Sequence, residues 1–311
     1  AVAATLALGV LLAMWLVRPF LSLVSQLRQI GAGDIEHEVH LDQTPEFRHL
    51  SGAINAMTAG LRDRMRMRQS LEVAREVQQN LLPETTPAVE GLDIAGHSVY
   101  CDETGGDYYD FLDVTGLSPT TAVIAVGDVM GHGIAAAMLM ATARGILKSR
   151  AQEPGSLADL LTHMNDLLVR DTGGGRFMTM FLMTLDGRRH EMRWASAGHD
   201  APLVYDPDTD AFLDIEGSSF PLGILEDTAY EEHAISDVKP GQVYLVATDG
   251  VWETGDPAGE LFGKDRVREI IRRDAGRSAA EISEELRAAL RAFRGDSRQD
   301  DDITFVIAKV Q

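Results

Sequence analysis

Three largely apolar runs, Thr121–Val126, Val243–Thr248 and Ile303–Val310, each abut an aspartate. Gly127-Asp128 follows the first, Asp249-Gly250 follows the second, and Asp300-Asp301-Asp302 precedes the third. Runs this apolar read as strands buried on both faces, so the chain must stack layers over them. Further strands are expected near Ile94–Tyr100, Tyr108–Val114, Met178–Leu185, Glu191–Ser196, Leu203–Tyr205 and Phe212–Ile215. Helical patterning covers Ile134–Lys148, Leu157–Val169, Lys264–Arg273 and Ala279–Phe293. Strands come in runs, with two helices between them and two near the end. That is the α+β pattern of antiparallel sheets covered by helices, not βαβ alternation. No internal repeat is evident.

The aspartates converge by simple geometry. If the last strand runs antiparallel to the other two, Asp128, Asp249 and Asp301 share one edge of the core. Strands 108–114 and 121–126 flank a turn, Thr115-Gly116-Leu117-Ser118-Pro119. Pairing about residue 117 or 118 sets Asp107 opposite Gly127 or Asp128. Clustered carboxylates repel unless protons or cations intervene. Oxygen donors without a His/Cys set point to Mg²⁺ or Mn²⁺.

Other chemistries are poorly served. With 48 acidic and 28 basic residues the formal charge is −20, which argues against nucleic acid as a partner. The one cysteine, Cys101, excludes a disulfide framework and cysteine-rich zinc sites. Asp107 stands where a cysteine-phosphatase loop would need its arginine, so Cys101 is read as a small strand-end residue. His132, between glycines beside Asp128, is suited to protonate a leaving alkoxide, to bond substrate or to orient its loop. His199 is read as a turn residue, Trp194 and Trp252 as core, Gly173-Gly174-Gly175 as a loop, and Glu253 as an outer neighbour of Asp249.

The N-terminal seventy residues have a different character. Residues 1–17 are apolar except for Thr5 and Gly9. As a helix they would span about 25 Å, slightly short of a bilayer core. The chain begins with Ala rather than Met, so a truncated membrane helix is expected. Arg18 and Arg28 put the following side in the cytoplasm. Pro19, the Gly31-Ala32-Gly33-Asp34 stop, Glu46 and Asn55 bound a helix, a connector (Ile35, Val39, Leu41) and a second helix. This arrangement resembles a HAMP relay, which implies a parallel dimer. From Leu61 to Leu82 the helix continues, with Leu71, Ala74, Gln78 and Leu81 at 3-4-3 spacing. Arg62, Arg64, Arg66 and Arg68 are read as its solvated face.

Gly105-Gly106-Asp107-Tyr108-Tyr109-Asp110, Gly127-Asp128-Val129-Met130-Gly131-His132-Gly133, Thr248-Asp249-Gly250 and Asp301-Asp302-Ile303-Thr304 resemble, in order, the motifs of the bacterial SpoIIE/RsbU-type, PP2C-like serine/threonine protein phosphatases. Gln78-Gln79-Asn80-Leu81-Leu82-Pro83, Ala197-Gly198-His199 and Pro221-Leu222-Gly223-Ile224 add to the resemblance. It implies a PP2C-like αββα sandwich of two antiparallel sheets with two Mn²⁺ or Mg²⁺ ions. Asp128 would bridge both ions, the Val129 carbonyl would add a ligand, Asp249 and Asp301 would hold one ion, and Asp107 would lie at or just behind the site. Many eukaryotic relatives carry Glu where this chain has Gly106, which implies fewer ligands for the second ion. Thr248 replaces a common Ser, with little effect expected.

The expected organisation is a membrane helix (1–17), a HAMP domain (18–70), a linker helix (71–83) and a phosphatase domain (84–311). The resemblance implies a phosphorylated STAS-type anti-sigma-factor antagonist as substrate. It also implies a homodimer in the bacterial inner membrane with its catalytic domain cytoplasmic. The alternatives are a catalytically silent scaffold and a different HAMP-linked output, for which no ATP-binding boxes are found.

Overall fold

A computed structural model describes residues 2–41, 44–114 and 117–311. The chain forms two compact units, Ala1–Val73 and Ala74–Gln311. In chain order the elements are helix α1 (Val2–Leu12), a π-helical turn (Ala13–Val17), α2 (Arg18–Gly31) and α3 (Pro45–Gln79). Then come strands β1 (Leu92–Val99), β2 (Tyr108–Phe111) and β3 (Thr121–Val129), and helices α4 (Ile134–Arg150) and α5 (Leu157–Thr172). Strands β4 (Met178–Asp186), β5 (Glu191–Ala197), β6 (Leu203–Asp206), β7 (Ala211–Leu213), β8 (Ser218–Ser219), β9 (His233–Ile235) and β10 (Val243–Ala247) follow. The chain ends with α6 (Gly250–Glu253), α7 (Gly263–Asp274), α8 (Ala279–Arg294) and β11 (Ile303–Val310).

The expected membrane helix is not found. No helix among the described residues is long and apolar enough to cross a membrane. The 11 residues of α1 rise about 16 Å, roughly half a hydrocarbon core. Beyond the π turn, α2 is amphipathic and carries Arg18, Gln26 and Arg28. The relay features are present. α2 stops at Gly31, Gly33 takes φ +106°, and Leu23, Val39, Leu41 and Ile54 form a small core. Asn55 clamps the connector, accepting from the Val39 amide at 2.9 Å and donating to its carbonyl at 3.0 Å. Arg62 and Arg66 pair with Glu36, so the basic face is partly tied to the connector.

In the second unit one sheet has the order β1-β11-β10-β6-β7 and the other β2-β3-β4-β5-β8, with β9 on the free part of β5. Among the described strands pairings are antiparallel except the two-residue contact of β5 with β8, which is parallel, as is the isolated bridge Met180↔Gly198; both depart from the expected all-antiparallel sheets. Alternation along β3 explains the layering. Ile124 and Val126 face inward with Phe181, Met183, Tyr244 and Val306, between the sheets. Val123 and Ala125 face outward against Met140, Leu147 and Leu161 of α4 and α5. Leu245, Phe305 and Ile307 do the same under α7 and α8, against Val267, Ile271 and Leu286. The result is an αββα sandwich.

The expected strands and helices form, with shifted ends. β2 stops at Phe111 rather than Val114, and β3 runs on to Val129. Of the expected β2–β3 turn, Thr115 and Gly116 lie outside the described residues. The pairing Tyr108↔Gly127 nevertheless places Asp107 one step on, opposite Asp128.

Candidate metal centre

The end of the sandwich where β3, β10 and β11 meet carries the acids. Asp107 is buried, and its Oδ2 accepts from the Thr248 hydroxyl at 2.7 Å. That hydroxyl in turn accepts from the Thr304 amide at 3.1 Å, so Thr248 ties β10, β11 and Asp107 together. Gly250 fixes the neighbours: a Cβ there would lie 1.9 Å from the Asp302 carbonyl oxygen and 3.6 Å from the Asp301 Cβ. Only a glycine lets the Asp249 turn pack against the 301–302 main chain.

Electrostatics show the convergence. Burial first, then Asp249 and Asp301, push the Asp128 carboxyl up to about 7. Burial and then Asp128 and Asp302 hold Asp107 well above the usual carboxylate range. Asp249 is raised by burial, Asp301 and Glu253. Asp128 therefore lies among Asp107, Asp249 and Asp301, acids from both sheets, and Glu253 adds to the push on Asp249. The Val129 carbonyl faces the same loop, since a Cβ on Gly106 would sit 2.6 Å from it.

The nearby basic side chains are held elsewhere. His132 Nδ1 lies 2.7 Å from Asp102, which also binds Arg298, and Lys264 binds Asp200 at 2.9 Å. Among the described residues none ion-pairs with the four acids. An uncompensated all-oxygen cluster suits hard divalent ions. Among the described residues no three His, Cys, Asp or Glu side chains are grouped to close on one ion. The donor set therefore fits an ion that keeps much of its water and takes one or two carboxylates plus phosphate, as Mg²⁺ does.

Three residues gain roles that the sequence reading missed. Asp302 is 3% exposed, and its carboxylate accepts from the amides of Cys101 and Gly106, both at 2.8 Å. It holds the Gly105-Gly106-Asp107 loop, while Asp301 is exposed. Burial and Asp302 push the Cys101 thiol up to about 12, far from a nucleophilic thiolate. His199 lies just past the end of β5 and is buried, with Nδ1 2.9 Å from the Thr179 hydroxyl. Thr179 pairs with Asp128 in the sheet, and its hydroxyl lies 3.5 Å from the Asp128 carbonyl. Burial depresses His199 to about 4, so it is neutral and structural. Gln78, near the end of α3, bonds both backbone groups of Gly105, donating at 2.7 Å and accepting at 3.2 Å. Only the Gln78-Gln79-Asn80-Leu81-Leu82-Pro83 motif signalled it. Trp194 and Trp252 are core residues, as expected.

The layered fold and its acidic end define a PP2C-like serine/threonine protein phosphatase. More narrowly, the chain belongs to the SpoIIE family: residues 118–311 match Stage II sporulation protein E (SpoIIE), and residues 11–63 match the HAMP domain. It is 28% identical to phosphoserine phosphatase RsbU of Bacillus subtilis (strain 168) over 243 residues, covering 78% of this chain and 70% of that one. It is 24% identical to protein IcfG of Synechocystis sp., covering 93% of this chain and 50% of the relative. Among solved structures the SiaA-PP2C domain of Pseudomonas aeruginosa superposes with TM-score 0.69 at 22% identity, covering 80% of this chain and 99% of that domain. The phosphatase domain of Bacillus subtilis SpoIIE, solved with a fragment of its regulatory domain, gives 0.60 at 16% identity, covering 72% and 64%.

Proposed function

We propose that this phosphatase hydrolyses phosphoserine or phosphothreonine on a signalling protein at a centre of two Mn²⁺ or Mg²⁺ ions held by Asp107, Asp128, Val129 O, Asp249 and Asp301. The observation that carries this reading is the convergence of four carboxylates with no paired cation among the described residues. When bound, such ions supply an activated water and neutralise phosphate oxygens. The rest is done by the chain. Asp128 stands at the centre of the cluster, Thr248 and Asp302 fix Asp107 and its loop, and Asp102 holds His132 Nδ1. That leaves His132 Nε2 to bond the substrate or protonate the leaving serine oxygen.

The wider assignment is part of the same proposal. The substrate is a STAS-type anti-sigma-factor antagonist, a reading supported by the likeness to RsbU. Residues 18–70 act as the HAMP relay of a parallel homodimer, 71–83 as linker helix and 84–311 as catalytic domain. Attachment to the inner membrane, with the enzyme cytoplasmic, rests on the apolar run, in which Val2, Leu6, Val10 and Trp15 are exposed.

Full-length protein is expected to release phosphate from a phosphoserine protein only with Mn²⁺ or Mg²⁺, and Asp128→Ala is expected to lose that release. Metal-independent hydrolysis, or an active Asp128→Ala variant, would falsify the assignment and favour the silent-scaffold reading.

A further inference from the structure

Although the chain carries a formal charge of −20, one strip beside the carboxylate site is basic. Arg287, Arg291 and Arg294 lie on one face of α8 at spacings of four and three, and Arg298 follows in the loop leading to Asp301. Arg287, Arg291, Arg294 and Gln299 help to line a cavity of about 210 Å³ floored by Leu290 and Ile303. Arg294 and Gln299 also line a second cavity, about 150 Å³, with Arg298, Gly250 and Asp301. The two cavities thus share a wall, and the second opens at the acids of the proposed metal centre.

The strip is only partly neutralised. Glu284 serves both Arg287 and Arg291, at 2.5 and 3.1 Å. Arg298 shares Asp102 with His132. Arg294 bonds the neutral Gln299 at 2.9 Å, and its Nε is buried without a partner. Asp296 is exposed between Arg294 and Arg298, and at the inner end Glu253, Asp300 and Asp301 line the second cavity. The Arg287, Arg291 and Arg298 side chains are 36%, 60% and 76% exposed, so they are open to a ligand. His97, in the wall of the first cavity, is held down to about 4 by burial and then by Arg287, with Arg291 adding to it.

We propose that this strip docks an acidic segment of the phosphoprotein substrate and so selects which phosphorylated residue enters the site. The idea rests on the phosphatase reading above and extends it to substrate choice. Charge complementarity argues for this occupant: an anionic segment is repelled by so acidic a chain but attracted where arginines gather, and these gather beside the carboxylate site. On α8 the arginines from Arg287 to Arg294 span about 10 Å of helix rise, or about three residues of extended peptide.

The test uses full-length protein with Mn²⁺ and three kinds of substrate. These are phosphoserine peptides bearing four Asp/Glu at positions three to six on either side, matched Asn/Gln peptides, and p-nitrophenyl phosphate. The wild type should favour one acidic peptide by about 10-fold in kcat/KM at low salt, with the preference shrinking as ionic strength rises. Arg287→Glu/Arg291→Glu, and more mildly Arg287→Gln/Arg291→Gln, should remove the preference through KM and leave p-nitrophenyl phosphate turnover unchanged. Equal kcat/KM for acidic and neutral peptides, or a preference that survives both double variants, overturns the docking proposal. Arginine-dependent binding to phosphatidylserine vesicles without peptide selectivity would reassign the strip to a lipid surface and overturn it too. Absence of Mn²⁺-dependent p-nitrophenyl phosphate hydrolysis would instead sink the phosphatase reading.

Discussion

Gly106 shows how a single missing side chain shapes the centre. From sequence it reads as the loss of a glutamate ligand. The structure supplies the steric reason: a Cβ at 106 would lie 2.6 Å from the Val129 carbonyl oxygen and 3.1 Å from that of Gly131. Main-chain oxygen fills the space a side chain would need. Gly106→Ala must displace those carbonyls, and is expected to cost about 1–3 kcal/mol of stability. Metal-dependent turnover should fall with it; denaturant titration and phosphate release check both. Asp128 gives a second prediction. Its carboxyl is raised to about 7, chiefly by burial. A raised acid contributes stability that is full below the ordinary carboxylate range and is lost as pH rises through about 7. Divalent metal cancels that loss, so the rise in Tm on adding Mn²⁺ should be larger at pH 8 than at pH 5.5. An increment that is flat with pH, read by thermal-shift measurement, would contradict this.

At the scale of elements, β3, β10 and β11 were legible because their runs are largely apolar and each has an aspartate at or next to one end. The hairpin register was legible because Asp107 and Asp128 are equidistant from the turn. Which of the three consecutive acids at 300–302 points inward was not. Both Asp301 and Asp302 precede β11, and what buries Asp302 is its pair of hydrogen bonds to the Cys101 and Gly106 amides, from a loop about 200 positions earlier in the chain. Nor was the His199 contact visible, because it depends on β4 carrying Thr179 beside Asp128. Short β8, β9 and α6 carry too few residues for a periodic signal. A prediction belongs to β4: Thr179→Val removes the hydroxyl between His199 and the Asp128 carbonyl. Half-saturating Mn²⁺ is expected to rise several-fold, by calorimetric titration, with a stability loss near 1 kcal/mol. An unchanged affinity would reduce the contact to packing.

For the whole molecule, the two-sheet sandwich followed from the order of strand and helix patterns, whereas the membrane helix did not follow from composition. The apolar run divides between α1, 11 residues long, and a π-helical turn, and neither is by itself long enough to cross a bilayer. The connection at the start of the second unit is more informative than its size. Through Gln78, the last turn of α3 is bonded to the main chain of the loop that presents Asp107. Thermodynamic linkage then runs in both directions: whatever shifts the end of α3 changes affinity at the acids, and whatever binds the acids changes the free energy of opening that helix end by the same amount. Hydrogen exchange can measure the reciprocal half without any knowledge of the stimulus. Mn²⁺ should slow exchange of the amides of residues 74–79 in the natural chain and leave them unaffected in Gln78→Leu. The metal centre would then serve as a gauge of the helix as much as its target.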